Sequence, residues 1–198
     1  MIIACINAYQ DEGFIGDAIR SVAGKVDRII VVDGAYEGFP LYRGEPYSTD
    51  RTVELAESLG CEVIETRRTW KDQVEKRNAY LLGEDGDWYL PIDSDERLHG
   101  ELFPGPDEAY RIPCQLRKHR IPMMRIFRHQ PGIKYAGAHN VISVNGRIIR
   151  PEELDILPNC WIEHLAEFRD RDRKERKNEY YGKQYEAEKE FRKQNGLP

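Results

Sequence analysis

Short apolar runs alternate with amphipathic stretches through the first hundred residues. Residues 2–7 (IIACIN), 27–33 (DRIIVVD), 61–66 (CEVIET) and 87–92 (DWYLPI) each read as a short buried strand. Between them lie three helical stretches, at about 12–23, from Ser48 to Leu59, and at 71–82. Ser48, Thr49 and Asp50 are N-cap residue types ahead of the second helix, and Gly60 stands where a C-terminal glycine belongs. Strands and helices in strict alternation predict an α/β fold built on a doubly wound, mostly parallel sheet. Such sheets bind ligands at the carboxyl ends of their strands. Asp33 and Asp93 end the second and fourth strands, so both are expected at one crevice.

The chain changes character towards its end. Residues 167–198 are charge-rich, with Phe168, Tyr180, Tyr181, Tyr185 and Phe191 spaced among the charges. This predicts a long amphipathic helix, broken or kinked near Gly182, that packs its aromatics on the domain or on a second copy in a homodimer. The expected division is therefore a domain over 1–166, with halves at 1–98 and 99–166, and a helical tail over 167–198.

Composition narrows the class. With 198 residues, 40% apolar and 33% charged, the chain reads as one soluble globular domain. No apolar run approaches the roughly 20 residues of a membrane span. The start lacks the basic n-region of a signal peptide. Four cysteines lie far apart without a CxxC pair, so reduced, buried thiols in a cytoplasmic protein are expected.

Charge is unevenly distributed. Residues 1–110 hold 23 acidic and 11 basic side chains, whereas residues 111–150 hold nine Lys or Arg and no acid. Two readings follow: a positive surface for an anionic partner, or arginines that pair with the acidic first half. Arg117, Lys118 and Arg120 cluster in one polar stretch and are the candidates for contact with an anionic partner.

The fourth strand runs straight into Asp93, Ser94, Asp95 and Glu96. Carboxylates so close repel one another unless protons, water or a metal neutralise them. Oxygen ligands of this kind suit Mg²⁺ or Mn²⁺, whose open positions phosphates fill. The chain has no GxxxxGK[ST] loop, which removes P-loop NTPases, and no GxGxxG after its first strand, which argues against nicotinamide enzymes. A metal-bridged diphosphate on an Asp-x-Asp pair remains.

These motifs resemble those of small GT-A glycosyltransferases of the family 2 group. The resemblance spans residues 2 to about 98 through "NAYQDE" (7–12), "IIVVDGA" (29–35), "STDRTVELAESLG" (48–60), "TWKDQVEKRNAYL" (69–81) and "GDWYLPIDSDE" (86–96). Further on, "MRIFRHQPGIKYAGAHN" (124–140) and "IEHLAEF" (162–168) are similar to later family segments. It implies a metal-dependent transfer of sugar from a nucleotide-sugar donor, UDP-sugar foremost, to an acceptor hydroxyl, with inversion. By the same resemblance Tyr9 and Asp11 line the nucleoside pocket, Asp33 bonds the base and Arg77 assists nucleotide or phosphate. Asp93 and Asp95 form the DxD pair, with Asp93 at ribose or metal, Asp95 on the Mn²⁺ or Mg²⁺, and His164 as a late metal or diphosphate ligand.

Two departures stand out. Between Gly34 and Ser48 the chain inserts "AYEGFPLYRGEPY" beside the expected donor site. Asn140 follows His139 where relatives often carry Glu, so the base that takes the acceptor's proton must come from elsewhere. Glu96 and His139 are the candidates, with Glu153, Asp155 and Glu163 as more distant options. The competing classes are a nucleotidyltransferase, which lacks its usual glycine-rich first loop here, and an inactive nucleotide-sugar-binding relative.

Overall fold

The computed structural model describes residues 1–116, 118–165 and 171–197. In chain order its elements are β1 (Ile2–Ala8), α1 (Ile15–Val22), β2 (Arg28–Asp33), α2 (Thr52–Ser58), β3 (Glu62–Ile64), α3 (Gln73–Asn78), β4 (Trp88–Asp93), β5 (Glu96–Gly100), β6 (Ala109–Leu116), β7 (His119–Arg128), β8 (Ile133–Ala136), β9 (Ala138–Val144), β10 (Arg147–Ile148), β11 (Cys160–His164) and α4 (Arg171–Gln194). The four strands expected from the apolar runs all form. The helix expected over 71–82 begins at Gln73, because the Asp72 carboxylate accepts the Glu75 N–H at 2.8 Å and caps it.

Strands β3, β2, β1 and β4 lie side by side in that order, all parallel. The sheet continues through β7, β6, β11 and β5, with antiparallel pairing at each junction except β6 with β11. The α/β expectation therefore holds, with the parallel pairing concentrated in the N-terminal half. Strands β10, β9 and β8 form a separate small sheet.

The apolar runs are continuous because the central strands are buried on both faces. Ala4, Ile6, Val31, Leu90 and Ile92 face one way, onto Ile15, Ile19 and Val22 of α1 and Ala56 of α2. Ile3, Cys5, Ile30, Val32 and Tyr89 face the other, onto Tyr80, Tyr135 and Ile142. Trp70 and Trp88 are buried, one in each core.

The helix α4 runs unbroken through Gly182. Its Tyr180 stacks on Tyr36 with ring centroids 5.9 Å apart and meets Phe39 edge-on at 5.4 Å. Phe191 packs with Val141 and Leu197. These aromatics therefore cover the domain itself, whereas Tyr185 is exposed.

All four cysteines are free and buried. Burial pushes the Cys114 thiol up to about 11, well above an unfolded thiol near 8.5. A raised acid keeps its full contribution to stability below the unfolded value and loses it as pH climbs towards the folded one. Stability should therefore fall between pH 9 and 11, with up to ~3 kcal/mol from Cys114 alone. Lys76, which burial draws down to about 8, acts in the opposite direction from pH 8 to about 10.5. Urea unfolding at pH 8, 9 and 10.5 checks this: Cys114→Ala should show a shallower loss than the parent chain.

Candidate functional site

Register brings the acidic strand ends together. On either side of β1, Ala8 pairs with Asp33 and Asn7 with Asp93. Both carboxylates thus stand on one edge of the sheet, but their surroundings differ.

Asp33 is fully buried. Its two carboxylate oxygens accept the Ser48 N–H at 2.7 Å and the Ser48 hydroxyl at 2.6 Å. Burial raises its pKa against the lowering effect of those bonds and of Lys76. This carboxylate ties the end of the inserted loop to β2. Gly34, at φ 117, starts that loop where a Cβ would lie 3.0 Å from Trp70 Nε1. The Trp70 indole N–H in turn donates to the Asp33 carbonyl at 2.7 Å.

Tyr9 is also committed to the insertion. Its hydroxyl donates to the Glu45 carbonyl and accepts the Tyr42 N–H, both at 2.8 Å. Tyr9 meets Phe39 edge-on, so the loop, β1 and α4 share one aromatic cluster. Asp11 is buried and accepts from the Tyr9 N–H and from the Ser94 hydroxyl, the latter at 2.7 Å. It thereby braces the turn between the two aspartates.

That turn is the centre of the site. Asp95 is 1% exposed, and its Oδ1 lies 3.9 Å from His164 Nε2 on β11. Asp93 has a side chain 37% exposed and pairs with Arg77 at 3.1 Å. Arg77 is itself buried and lies over the Tyr135 ring. Two adjacent donors of an octahedral Mg²⁺ or Mn²⁺ at ~2.1 Å from the ion sit about 3 Å apart, so Asp95 and His164, now 3.9 Å apart, would have to approach by just under 1 Å to share one ion. Among the described residues no group of three or more His, Cys, Asp or Glu is arranged to hold a metal.

Glu96 does not face the crevice. It is 1% exposed, accepts the Asp93 N–H at 2.8 Å, and pairs with Arg125 at 2.6 Å. Burial pushes its carboxyl up to about 7 against the pull of Arg125. A base must reach the proton it removes, and Glu96 is turned into the protein instead. In this arrangement Glu96 braces the turn between β4 and β5. The strand position of His139 lies in β9, while its side chain is outside those described.

The basic block divides between the two readings. Arg125 and Arg147 pair with Glu96 and Glu108 from the acidic half. Lys118 and Arg120 are exposed at the tip of the β6–β7 hairpin, and Arg117 lies outside the described residues. Extending the pairing of Trp88 with Arg128 and Tyr89 with Phe127 sets Met123 level with Asp93. The hairpin tip therefore projects beyond the end of β4, on the crevice side. Arg120 covers the Trp161 ring at 4.1 Å, so it is held in place there.

Sequence reasoning passed over Lys76 and Arg125. Lys76 is buried on α3 and donates to the carbonyls of Ala8 at 2.8 Å and Gly34 at 2.6 Å, joining the ends of β1 and β2. Its only local signal was a cation beside Arg77. Nothing near Arg125 in the chain marks it as the partner of Glu96.

No family model matches the chain. An uncharacterized glycosyltransferase of Rickettsia bellii is 36% identical over 101 residues, covering 51% of this chain and 30% of that protein. One from Rickettsia felis is 37% identical over 101 residues, covering 51% and 31%. The chain thus matches about a third of the length of these curated relatives. Among solved structures, Staphylococcus aureus TarS in complex with UDP gives a TM-score of 0.39 at 22% identity, covering 50% of this chain and 29% of that one. Over about half its length this chain is thus similar to curated glycosyltransferases, and the matched stretch covers less than two thirds of each of these relatives.

Proposed function

We propose that this protein is a metal-dependent glycosyltransferase that moves a sugar from a nucleotide-sugar donor, with UDP as the first candidate, to an acceptor hydroxyl with inversion. The observation that carries the reading is the buried Asp95 carboxylate facing His164 at 3.9 Å, beside the more open Asp93, at the carboxyl end of the sheet. Asp95 and His164 would hold Mn²⁺ or Mg²⁺. When bound, the cation would stabilise the nucleoside diphosphate as it leaves. Asp93, oriented by Arg77, would reach the ribose or the ion. Asn7 stands opposite Asp93 and has buried amide atoms with no hydrogen-bond partner among the described residues. Buried polar side chains are nearly always hydrogen-bonded, so this amide is available to a ligand.

In this reading Tyr9, Asp11 and Asp33 shape the nucleoside side indirectly, by fixing the loop and turns around it. Residues 1–98 would form the donor half, 99–166 the acceptor half, and 167–198 a helical tail. His139 is the proposed base, and Lys118 and Arg120, with Arg117, offer the hairpin tip to an anionic acceptor.

Thermal unfolding with UDP, with and without Mn²⁺, tests the reading. At a hundredfold excess over Kd, UDP with Mn²⁺ should add about 2.7 kcal/mol, a shift of roughly 5–10 °C for a chain of this size. The shift should vanish in EDTA. No shift with metal, or the same shift in EDTA, would remove the metal–diphosphate site. Pyrophosphate release from a nucleoside triphosphate would favour the nucleotidyltransferase class instead.

A further inference from the structure

A cavity of about 220 Å³ opens beside Asp93, between β4, β7 and the end of α4. Its charged lining is Arg77, Arg125, Arg192 and Asp93, three cations to one anion, and the rest of the wall is largely apolar, including Met124 and Leu197. Arg192 and Leu197 lie on and just beyond the end of α4, so this part of the chain closes one side of the cavity. The two inner arginines are unevenly satisfied. Arg77 reaches Asp93 and Arg125 reaches Glu96, yet the buried Nε–H of each has no partner among the described residues. A buried donor without an acceptor is costly, and here two such guanidinium groups border one space.

We propose that this cavity is a substrate subsite that selects a carboxylate or phosphate group carried on an apolar body, with Arg77, Arg125 and Arg192 as its cationic wall. Guanidinium groups recognise both anions through paired N–H donors, so the shared chemistry is a planar or tetrahedral oxyanion. The apolar wall favours a hydrophobic body over a bare ion. The inference deepens the glycosyltransferase reading, on which it rests for one point: the occupant would be the acceptor, placed beside the proposed donor metal.

The test uses the full chain in EDTA, so that no metal recruits anions to the aspartates. Phenyl phosphate, benzoate and neutral benzyl alcohol are titrated by ligand-observed NMR. Phenyl phosphate or benzoate should bind at least tenfold more tightly than benzyl alcohol, and the stronger of the two names the oxyanion. Arg125→Met should abolish the preference, although it strands Glu96 and can unfold the chain. Arg192→Met is the second variant, since its partner Glu188 is on the same helix and not buried; it should weaken the anion at least fivefold. Equal binding of benzyl alcohol, no binding of either anion, or an unchanged affinity in Arg192→Met would overturn the proposal. Competitive displacement of phenyl phosphate by UDP would also overturn it, by placing the donor in the cavity. UDP–Mn²⁺ binding without anion binding defeats this inference alone. Anion binding without any UDP shift defeats the glycosyltransferase reading and leaves the cavity an anion site.

Discussion

Asp95→Asn should lose the Mn²⁺-dependent UDP shift and lower sugar transfer by about a thousandfold, the scale on which one well-placed electrostatic group acts. The amide keeps the shape of the carboxylate but removes its charge, so the ion would lose its buried anionic donor. Asp95 is buried where the backbone of Leu165 also bonds its carbonyl, at 2.8 Å, so the turn should survive the exchange. Far-UV dichroism and the ligand-free melting temperature should stay close to the parent's. His164→Ala should weaken UDP only when metal is present. If Asp95→Asn turns over sugar at the parental rate, or if EDTA leaves that rate unchanged, the Asp95–His164 pair has no part in the reaction.

The second large effect concerns the Glu96–Arg125 pair. Arg125→Met should destabilise the chain by about 3–5 kcal/mol, because it leaves the buried Glu96 carboxylate without its partner. Glu96→Gln can still accept the Asp93 N–H and should cost less, and the double variant Glu96→Gln/Arg125→Met should recover part of the loss. A urea-unfolding double-mutant cycle reads this coupling directly. The same variants decide between strut and base. If Glu96 were the base, Glu96→Gln would lower turnover by about a hundredfold or more at unchanged stability. As a strut it should change stability first and turnover only through the position of Asp93.

Much of the first hundred residues was legible in the chain. Strands β1, β2 and β4 announced themselves because both of their faces are buried, which leaves continuous apolar runs that few other structures tolerate. The Asp93–Ser94–Asp95 turn was legible for the opposite reason: clustered carboxylates at the end of such a run have no packing rationale. Gly60 was legible as a stop signal, and its φ of 81 is the left-handed geometry that this signal implies. Ser48 departs from the cap role that its residue type suggests. It was expected as a cap, but its hydroxyl serves Asp33, while Asp50 accepts the Thr52 N–H at 3.0 Å at the helix start.

What the sequence determined by itself was local: which runs become strands, where helices start, and which acidic residues end strands. Those features follow from neighbours a few positions apart, so they are written in short windows. Only the tertiary structure decided which carboxylates are open. Asp33, Asp93, Asp95 and Glu96 look alike in the chain, yet Asp33 is consumed by Ser48, Glu96 by Arg125, and Asp95 faces His164. It also decided that the insertion and α4 meet through Tyr36 and Tyr180, and that Arg192 reaches the cavity beside Asp93. Each of these contacts joins residues far apart in the chain. Sheet register and helix docking set such distances, and the resulting burial determines whether a charge binds a ligand or braces the fold.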